Sequence, residues 1–247
     1  MNAMILAAGK GERMRPLTLT TPKPLLPAAG KPLIGYHLER LAAAGFRKAV
    51  INHAWLGEQL EQALGSGASY GIPIVYSAET TPLETAGGIQ QALPLLCAPD
   101  HTASGDRGWF VVINGDIWCD FDLRQLLTPP PAPATAADTR ALLVLTDNPC
   151  HNPEGDFFLS ACGRVGATGQ PRLTFTGISL LHASLFDGLE PGHQPLAPLL
   201  RAAMQRGQVK GMHHRGHWMD IGTPQRLEAL DQLLRGVQGE HHGTTTA

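Results

Sequence analysis

Apolar runs and amphipathic stretches alternate along the first half of this chain. Met4 to Leu6, Ala49 to Ile51, Ile72 to Tyr76 and Trp109 to Ile113 are short and apolar, and the last has the continuous pattern of a strand covered on both faces. Between the first two, Leu33, Ile34, Leu38, Leu41 and Ala42 recur at helical spacing until Gly45 stops them, with Pro32 expected at the first helical position. Leu56, Leu60 and Leu64 mark a second helix, and a third is predicted over 88–96. Strands alternating with helices predict parallel βαβ units, hence an α/β fold.

The second half is less regular. Strand-like stretches at 141–146, 156–162, 172–181 and 208–214 are expected to finish the sheet, with helices over 196–206 and from Pro224 to Leu234, the latter capped by Thr223. Residues 128–139 combine four prolines with small residues and read as a stiff surface connector; 98–108 read as another loop. The polar stretch from Gly236 is expected to be a disordered tail, leaving one domain over 1–235.

Composition removes several classes of function. In 247 residues the net charge is −2, and no Lys/Arg run exceeds two residues, so no nucleic-acid partner is expected. No apolar segment approaches the roughly 18 residues of a membrane span. The four cysteines form no CxxC pair and no secretory signal is read, so reduced thiols in a cytoplasmic protein are expected. No internal repeat and no partner protein is evident.

The chemistry concentrates directly after the first strand, in Leu6-Ala7-Ala8-Gly9-Lys10-Gly11-Glu12-Arg13-Met14-Arg15-Pro16-Leu17-Thr18 and then Thr21-Pro22-Lys23-Pro24-Leu25. Glycines leaving a strand let the backbone approach a polyphosphate, and Arg13 and Lys23 supply fixed positive charge for phosphate oxygens. A nicotinamide-dependent oxidoreductase would want a third glycine where Met14 stands, and an acidic residue at the end of a second strand that here arrives only near Val50. A glycine loop followed by RxRPLT and PKP resembles the signature of the sugar-1-phosphate nucleotidyltransferases. That resemblance implies a single Rossmann-like domain of the GT-A type, with a mixed central sheet flanked by helices. It also implies a reaction joining a nucleoside triphosphate to a sugar 1-phosphate with release of pyrophosphate. Arg13 and Lys23 become the catalytic cations, and Ala7, Ala8, Gly9 and Gly11 the nucleotide-binding loop.

Asn114-Gly115-Asp116 follows the apolar run Val111-Val112-Ile113, so Asp116 is expected at a strand's carboxyl end, where ligands of open α/β sheets collect. Its expected partner is Asp220, in Trp218-Met219-Asp220-Ile221-Gly222. Both match the family pattern of two residues holding Mg²⁺, which prefers oxygen ligands and needs only one or two carboxylates beside substrate phosphates. Read without the resemblance, each is equally a turn or pre-helical aspartate. Asp120 and Asp122 read as helix N-terminal carboxylates. His213, His214 and His217 read as packed or solvated, not as ligands, and Trp55 with His53 as packing behind the loop.

Leu83-Glu84-Thr85-Ala86-Gly87-Gly88 resembles the segment that passes under the nucleobase, with Glu84 where glycine is usual and backbone groups of a turn expected to meet the base. Glu79 stands where relatives place a base-reading Gln; it suits the N3–H of uracil, or it is an exposed loop residue. Asn114, Gly155 and Thr176 are the residues expected on the sugar side. The Glu-Lys-Pro segment of many relatives is absent after Val165. The longer runs PLETAGGI, NP.GDF, TFTGISLLH and GHWMDIGTPQRL resemble the branch that uses UTP and N-acetylmuramic acid α-1-phosphate. Mannose-1-phosphate guanylyl transfer and glucose-1-phosphate thymidylyl or uridylyl transfer are the alternatives, with a non-catalytic nucleotide-sugar-binding subunit as a rival from another class.

Overall fold

A computed structural model describes residues 1–97, 108–131, 133–135 and 138–241, with side chains to residue 236. The elements run β1 (Asn2–Leu6), a small hairpin of β2 (Pro27–Ala28) and β3 (Lys31–Pro32), α1 (Leu33–Ala44), β4 (Ala49–His53), α2 (Gly57–Leu64), β5 (Ile74–Ala78), α3 (Glu84–Leu96), β6 (Trp109–Asn114) and β7 (Ile117–Cys119). Then come β8 (Ala141–Thr146), β9 (Phe157–Leu159), β10 (Val165–Gly166), β11 (Arg172–His182), α4 (Leu196–Gln205), β12 (Val209–His214), β13 (Trp218–Asp220) and α5 (Pro224–His241). The expected loop at 98–108 lies, except for Gly108, outside the described residues, as do 242–247.

The central sheet is mixed. Its main path is β12-β8-β11-β6-β1-β4-β5, with β9 and β10 added at the near end of β11. The pairs β1/β4, β1/β6 and β4/β5 are parallel, whereas β11 runs antiparallel to both β6 and β8. Period-two alternation divides each central strand between two cores. Ala3, Ile5, Ala49, Ile51, Val111 and Ile113 face α1 and α2, whose Ile34, Leu38, Leu41 and Leu60 cover them. Met4, Val50, Phe110 and Val112 face the other way, onto Ile89, Ala92 and Leu96 of α3 and Leu200 and Ala203 of α4. A third, smaller core joins Met14, Leu26 and Leu33 to Ile221, Leu230 and Leu234, so α5 docks against the segment that follows the glycine loop.

Helix boundaries differ from the sequence reading, most at α3 and α5, while α4 ends at Gln205, one residue early. Pro32 is the N-cap of α1 and belongs to β3, so the helix begins one residue later than expected. α3 begins at Glu84, four residues before the predicted start, because the Gln194 carbonyl accepts from the Ala86 and Gly87 amides and caps the first turn from outside. α5 continues to His241, past the expected end at Leu234 and into the first residues of the expected tail; extending an existing helix costs far less than starting one.

Register sets the position of the site. Leu6 pairs with both Asn52 and Asn114, so the carboxyl ends of β1, β4 and β6 form one row. Asn52 is buried and ties that row together. Its Oδ1 accepts from the Ala7 amide at 3.0 Å and its Nδ2 donates to Glu79 Oε1 at 2.7 Å. Beneath the turn after β6, His37 of α1 is fully buried and hydrogen-bonds the Ile117 backbone. Burial, and then the nearby Arg40 guanidinium, push its imidazole down to about 4, against the opposing pull of that hydrogen bond and of Asp116.

Replacing Asn52 with Leu conserves volume but strands a buried amide and removes the donor to Glu79. Urea unfolding should record a loss of about 2–5 kcal/mol; a loss within experimental scatter would show that the two bonds are dispensable. His37 gives a pH signature. It is neutral in the fold, and the unfolded chain takes up a proton as pH falls through 6.5. Its contribution is complete above that pH and disappears toward pH 4, amounting to roughly 3 kcal/mol. His37→Gln should flatten the stability profile between these limits, and an unchanged slope would assign the acid sensitivity to other groups.

Candidate active site

A cleft of about 530 Å³ opens over the row of strand ends. One wall is the glycine loop with Arg13 and Lys23; the other carries Glu79, Glu84 and Thr85; Asn114, Gly115, Asp116 and Gly222 form the floor and far side. Gly11 has φ +62°, and a Cβ there would stand 2.9 Å from the Thr18 methyl, whose hydroxyl donates to the Gly11 carbonyl at 2.7 Å. Only glycine combines that conformation with that approach. A Cβ at Gly9 would meet nothing within 4 Å, so the loop faces open space there. Trp55 packs behind the loop as expected, its indole N–H donating to the Thr18 carbonyl at 3.2 Å, and His53 is buried against Glu61.

The two acidic residues are brought together by an antiparallel pair. β7 and β13 place Ile117 opposite Asp220, and the Ile221 amide donates to the Asp116 carbonyl at 2.7 Å. Lys23, its side chain 9% exposed, donates from Nζ to Asp116 Oδ2 at 2.7 Å. Arg226, in the first turn of α5, donates to Asp220 Oδ2. His151 Nε2 stands 2.9 Å from Asp220 Oδ1 but off the line of a hydrogen bond, so that buried carboxylate oxygen has no aligned donor. A Cβ at Gly222 would lie 3.1 Å from Asp220 Oδ2 and 3.3 Å from guanidinium nitrogens of both Arg13 and Arg226. Arg13, Lys23, Asp116 and Asp220 therefore stand around one end of one cleft, Asp220 just behind Gly222.

Several expected residues take other parts. Glu79 is buried, not an exposed loop residue; it lines the cleft while accepting from Asn52 and, at 3.0 Å, from the Leu83 amide. Gly87 and Gly88 lie inside α3 and do not form a turn beneath a base. A Cβ on Gly88 would come 2.5 Å from Glu79 Oε1, and one on Gly87 would collide with the Gly192 carbonyl. Glu84 has φ +60°, which explains why glycine is at home at that position. Thr176 is fully buried and does not reach the cleft. Its hydroxyl donates to the Val144 carbonyl at 2.8 Å and accepts from the Ile178 amide, bridging the irregularity where β11 slips against β8. Gly155, at φ +62°, does not line the cleft; it closes the 147–156 loop, where a Cβ would meet Asn148 Oδ1 at 2.7 Å. Asp122 caps a short 3₁₀ turn through the Arg124 amide, and Asp120 meets His214 at 2.7 Å, both structural parts.

The sequence reading missed Asn52, His151 and Arg226. Gly177, at φ +82°, leaves room for the Asn114 side chain, which a Cβ would approach to 2.7 Å. A buried polar residue at the end of an otherwise apolar strand was the available signal for Asn52. His151 carried none, because its partner lies far away in the chain.

Residues 2–152 match the nucleotidyl transferase family. Over 237 residues the chain is 50% identical to an N-acetylmuramate alpha-1-phosphate uridylyltransferase from Neisseria meningitidis serogroup B, spanning 94% of this chain and 98% of that protein. It is 40% identical to the mannose-1-phosphate guanylyltransferase catalytic subunit beta of Drosophila pseudoobscura pseudoobscura over 90% of this chain, but spans only 59% of that protein. The fold matches a Bacillus anthracis structure in complex with a sucrose, with TM-score 0.77 at 22% identity over 95% of this chain and 96% of the other. Together with the glycine loop and the paired acidic strands, these likenesses establish that the chain belongs to the sugar-1-phosphate nucleotidyltransferase family.

Proposed function

We propose that this protein transfers a uridylyl group from UTP to N-acetylmuramic acid α-1-phosphate, forming a UDP-sugar and pyrophosphate, with Mg²⁺ as cofactor. The observation that carries the reading is the pairing of β7 with β13, which sets Asp116 and Asp220 side by side against Lys23, Arg226 and Arg13. Two carboxylates offer the hard oxygens that Mg²⁺ prefers, and the buried Asp220 Oδ1 without an aligned donor fits a cation better than it fits solvent. When bound, the ion supplies a fixed divalent charge against phosphate oxygens. Half-identity to the Neisseria uridylyltransferase along nearly its whole length supports the choice of nucleotide and acceptor.

An oxygen of the acceptor's phosphate attacks the α-phosphorus of UTP; the bond to the β-phosphate oxygen breaks, and pyrophosphate leaves in line. The attacking oxygen is already ionised near neutrality, so no general base is required, and positioning with charge neutralisation carries the rate. Arg13 holds the leaving pyrophosphate. Lys23, steered by Asp116, stabilises charge at the reacting centre. Glu79, with both oxygens already anchored, presents a fixed acceptor to a base N–H. Asn114, given its space by Gly177, reaches hydroxyls of the sugar.

Pyrophosphate release across four nucleoside triphosphates and several sugar 1-phosphates should peak at UTP with N-acetylmuramic acid α-1-phosphate; a maximum at GTP with mannose 1-phosphate would replace this reading. Arg13 is exposed, so Arg13→Ala should lower kcat by about 10²–10³ with thermal stability nearly unchanged. Full turnover would remove it from the mechanism. Chelation should abolish activity and added Mg²⁺ restore it, and activity in excess chelator would exclude the ion.

A further inference from the structure

We infer that His151, together with Arg226, forms the seat for the phosphate group of the acceptor, and that the 147–156 loop exists to present His151 there. This rests on the proposed function, since it assigns one of that reaction's two anions to a place beside the cleft.

Both substrates are phosphates, and the cations of the glycine loop are committed. Lys23 is deep and bonded to Asp116. Arg13 follows the loop itself. The remaining positive charge gathers behind Gly222. There Arg226 donates to Asp220 Oδ2, and its guanidinium lies 3.3 Å from where a Gly222 Cβ would stand. Gly222 lines the cleft, and a Cβ there would stand 3.1–3.3 Å from Asp220, Arg13 and Arg226, so this group lies just behind the cleft's edge. His151 adjoins this group, with Nε2 2.9 Å from Asp220 Oδ1 but not aligned with it as a hydrogen bond, and its side chain is 38% exposed. A ring N–H in that position can donate to an incoming oxygen without giving up an established bond. An imidazole beside a guanidinium fork suits a phosphomonoester dianion.

The loop carrying His151 is strapped on both sides of it. Asp147 meets His213 of β12 at 2.8 Å. Asn148 donates to the Pro153 and Arg172 carbonyls and accepts from Thr174. Asn152 reaches Asp156 and Thr174, and Asp156 in turn accepts from the Phe175 amide. These polar side chains hold the loop to itself and to the sheet, whereas His151 crosses to the carboxylate of a different strand. Rigid presentation of one donor is what an anion seat requires, because the entropy of ordering it is lost during folding and not during binding.

The test uses the full chain with His151→Ala, His151→Gln and Arg226→Met, each checked for thermal stability. His151→Ala and Arg226→Met should raise KM for the acceptor at least tenfold while KM for UTP stays within twofold. They should also weaken calorimetric binding of inorganic phosphate, and His151→Gln, which keeps an N–H donor, should recover part of both. A parallel rise in both KM values, or an unchanged acceptor KM and phosphate affinity, would overturn the assignment. So would a fall in kcat alone, which would show that His151 only orients Asp220. Should the parent protein release no pyrophosphate with any sugar 1-phosphate, the proposed reaction fails. Phosphate binding that the parent retains and His151→Ala loses would still support an anion seat, and equal binding by both would refute it.

Discussion

Two carboxylates are held near one another at one end of the cleft, and the rest of the site depends on how their charges are balanced. Asp116 and Asp220 lie 104 residues apart in sequence, yet the β7/β13 pair and the Ile221-to-Asp116 backbone bond bring the turn carrying Asp116 against the strand carrying Asp220. Their charges are balanced from both sides. Lys23 arrives from the segment after the glycine loop, and Arg226 from the first turn of α5. Removing one partner of such a pair leaves an uncompensated charge in a partly buried place, which costs far more than the intact pair contributes. The arrangement is therefore stable only as a set, and it reserves carboxylate oxygens in a region already crowded with cations.

The same set explains the third core. Met14, one residue beyond Arg13, is fully buried with Leu26 and Leu33 against Ile221, Leu230 and Leu234. Apolar packing thus fastens the loop's cation to the strand and helix that carry Asp220 and Arg226. Asp231 adds a bond to the Ala29 amide at 2.7 Å from the same helix. α5 acts as a clamp between the two ends of the chain, so its packing is part of the site and not merely a cover for the sheet.

On the opposite wall, acceptors and donors are fixed in a chain. Asn52 joins the glycine loop to Glu79, Glu79 joins the Leu83 amide, and α3 begins immediately afterwards. Gly88 is small so that this carboxylate can lie against the helix. The wall is consequently preorganised: the orientation of its groups is settled on folding. Away from the cleft, Thr176 bridges a strand irregularity and Gly155 closes a loop.

Local pattern alone marked the strands β1, β4, β6 and β8, helices α1 and α2, and the glycine loop, because periodicity and short motifs act over a few neighbouring residues, whereas the roles expected of Arg13, Lys23, Asp116 and Asp220 leaned on the family resemblance. Which side chains meet was another matter. His151 against Asp220, Asn52 beneath Ala7, Thr176 inside the sheet and Gly177 beside Asn114 all join residues far apart in sequence, or hide a polar group that a linear reading assigns to a surface. The early start of α3 depended on a carbonyl from residue 194, and no helical signal near Glu84 carries that information. Register and crossover connections are settled by packing of the whole chain, so the residues that complete the site became identifiable only once the tertiary fold had set them side by side.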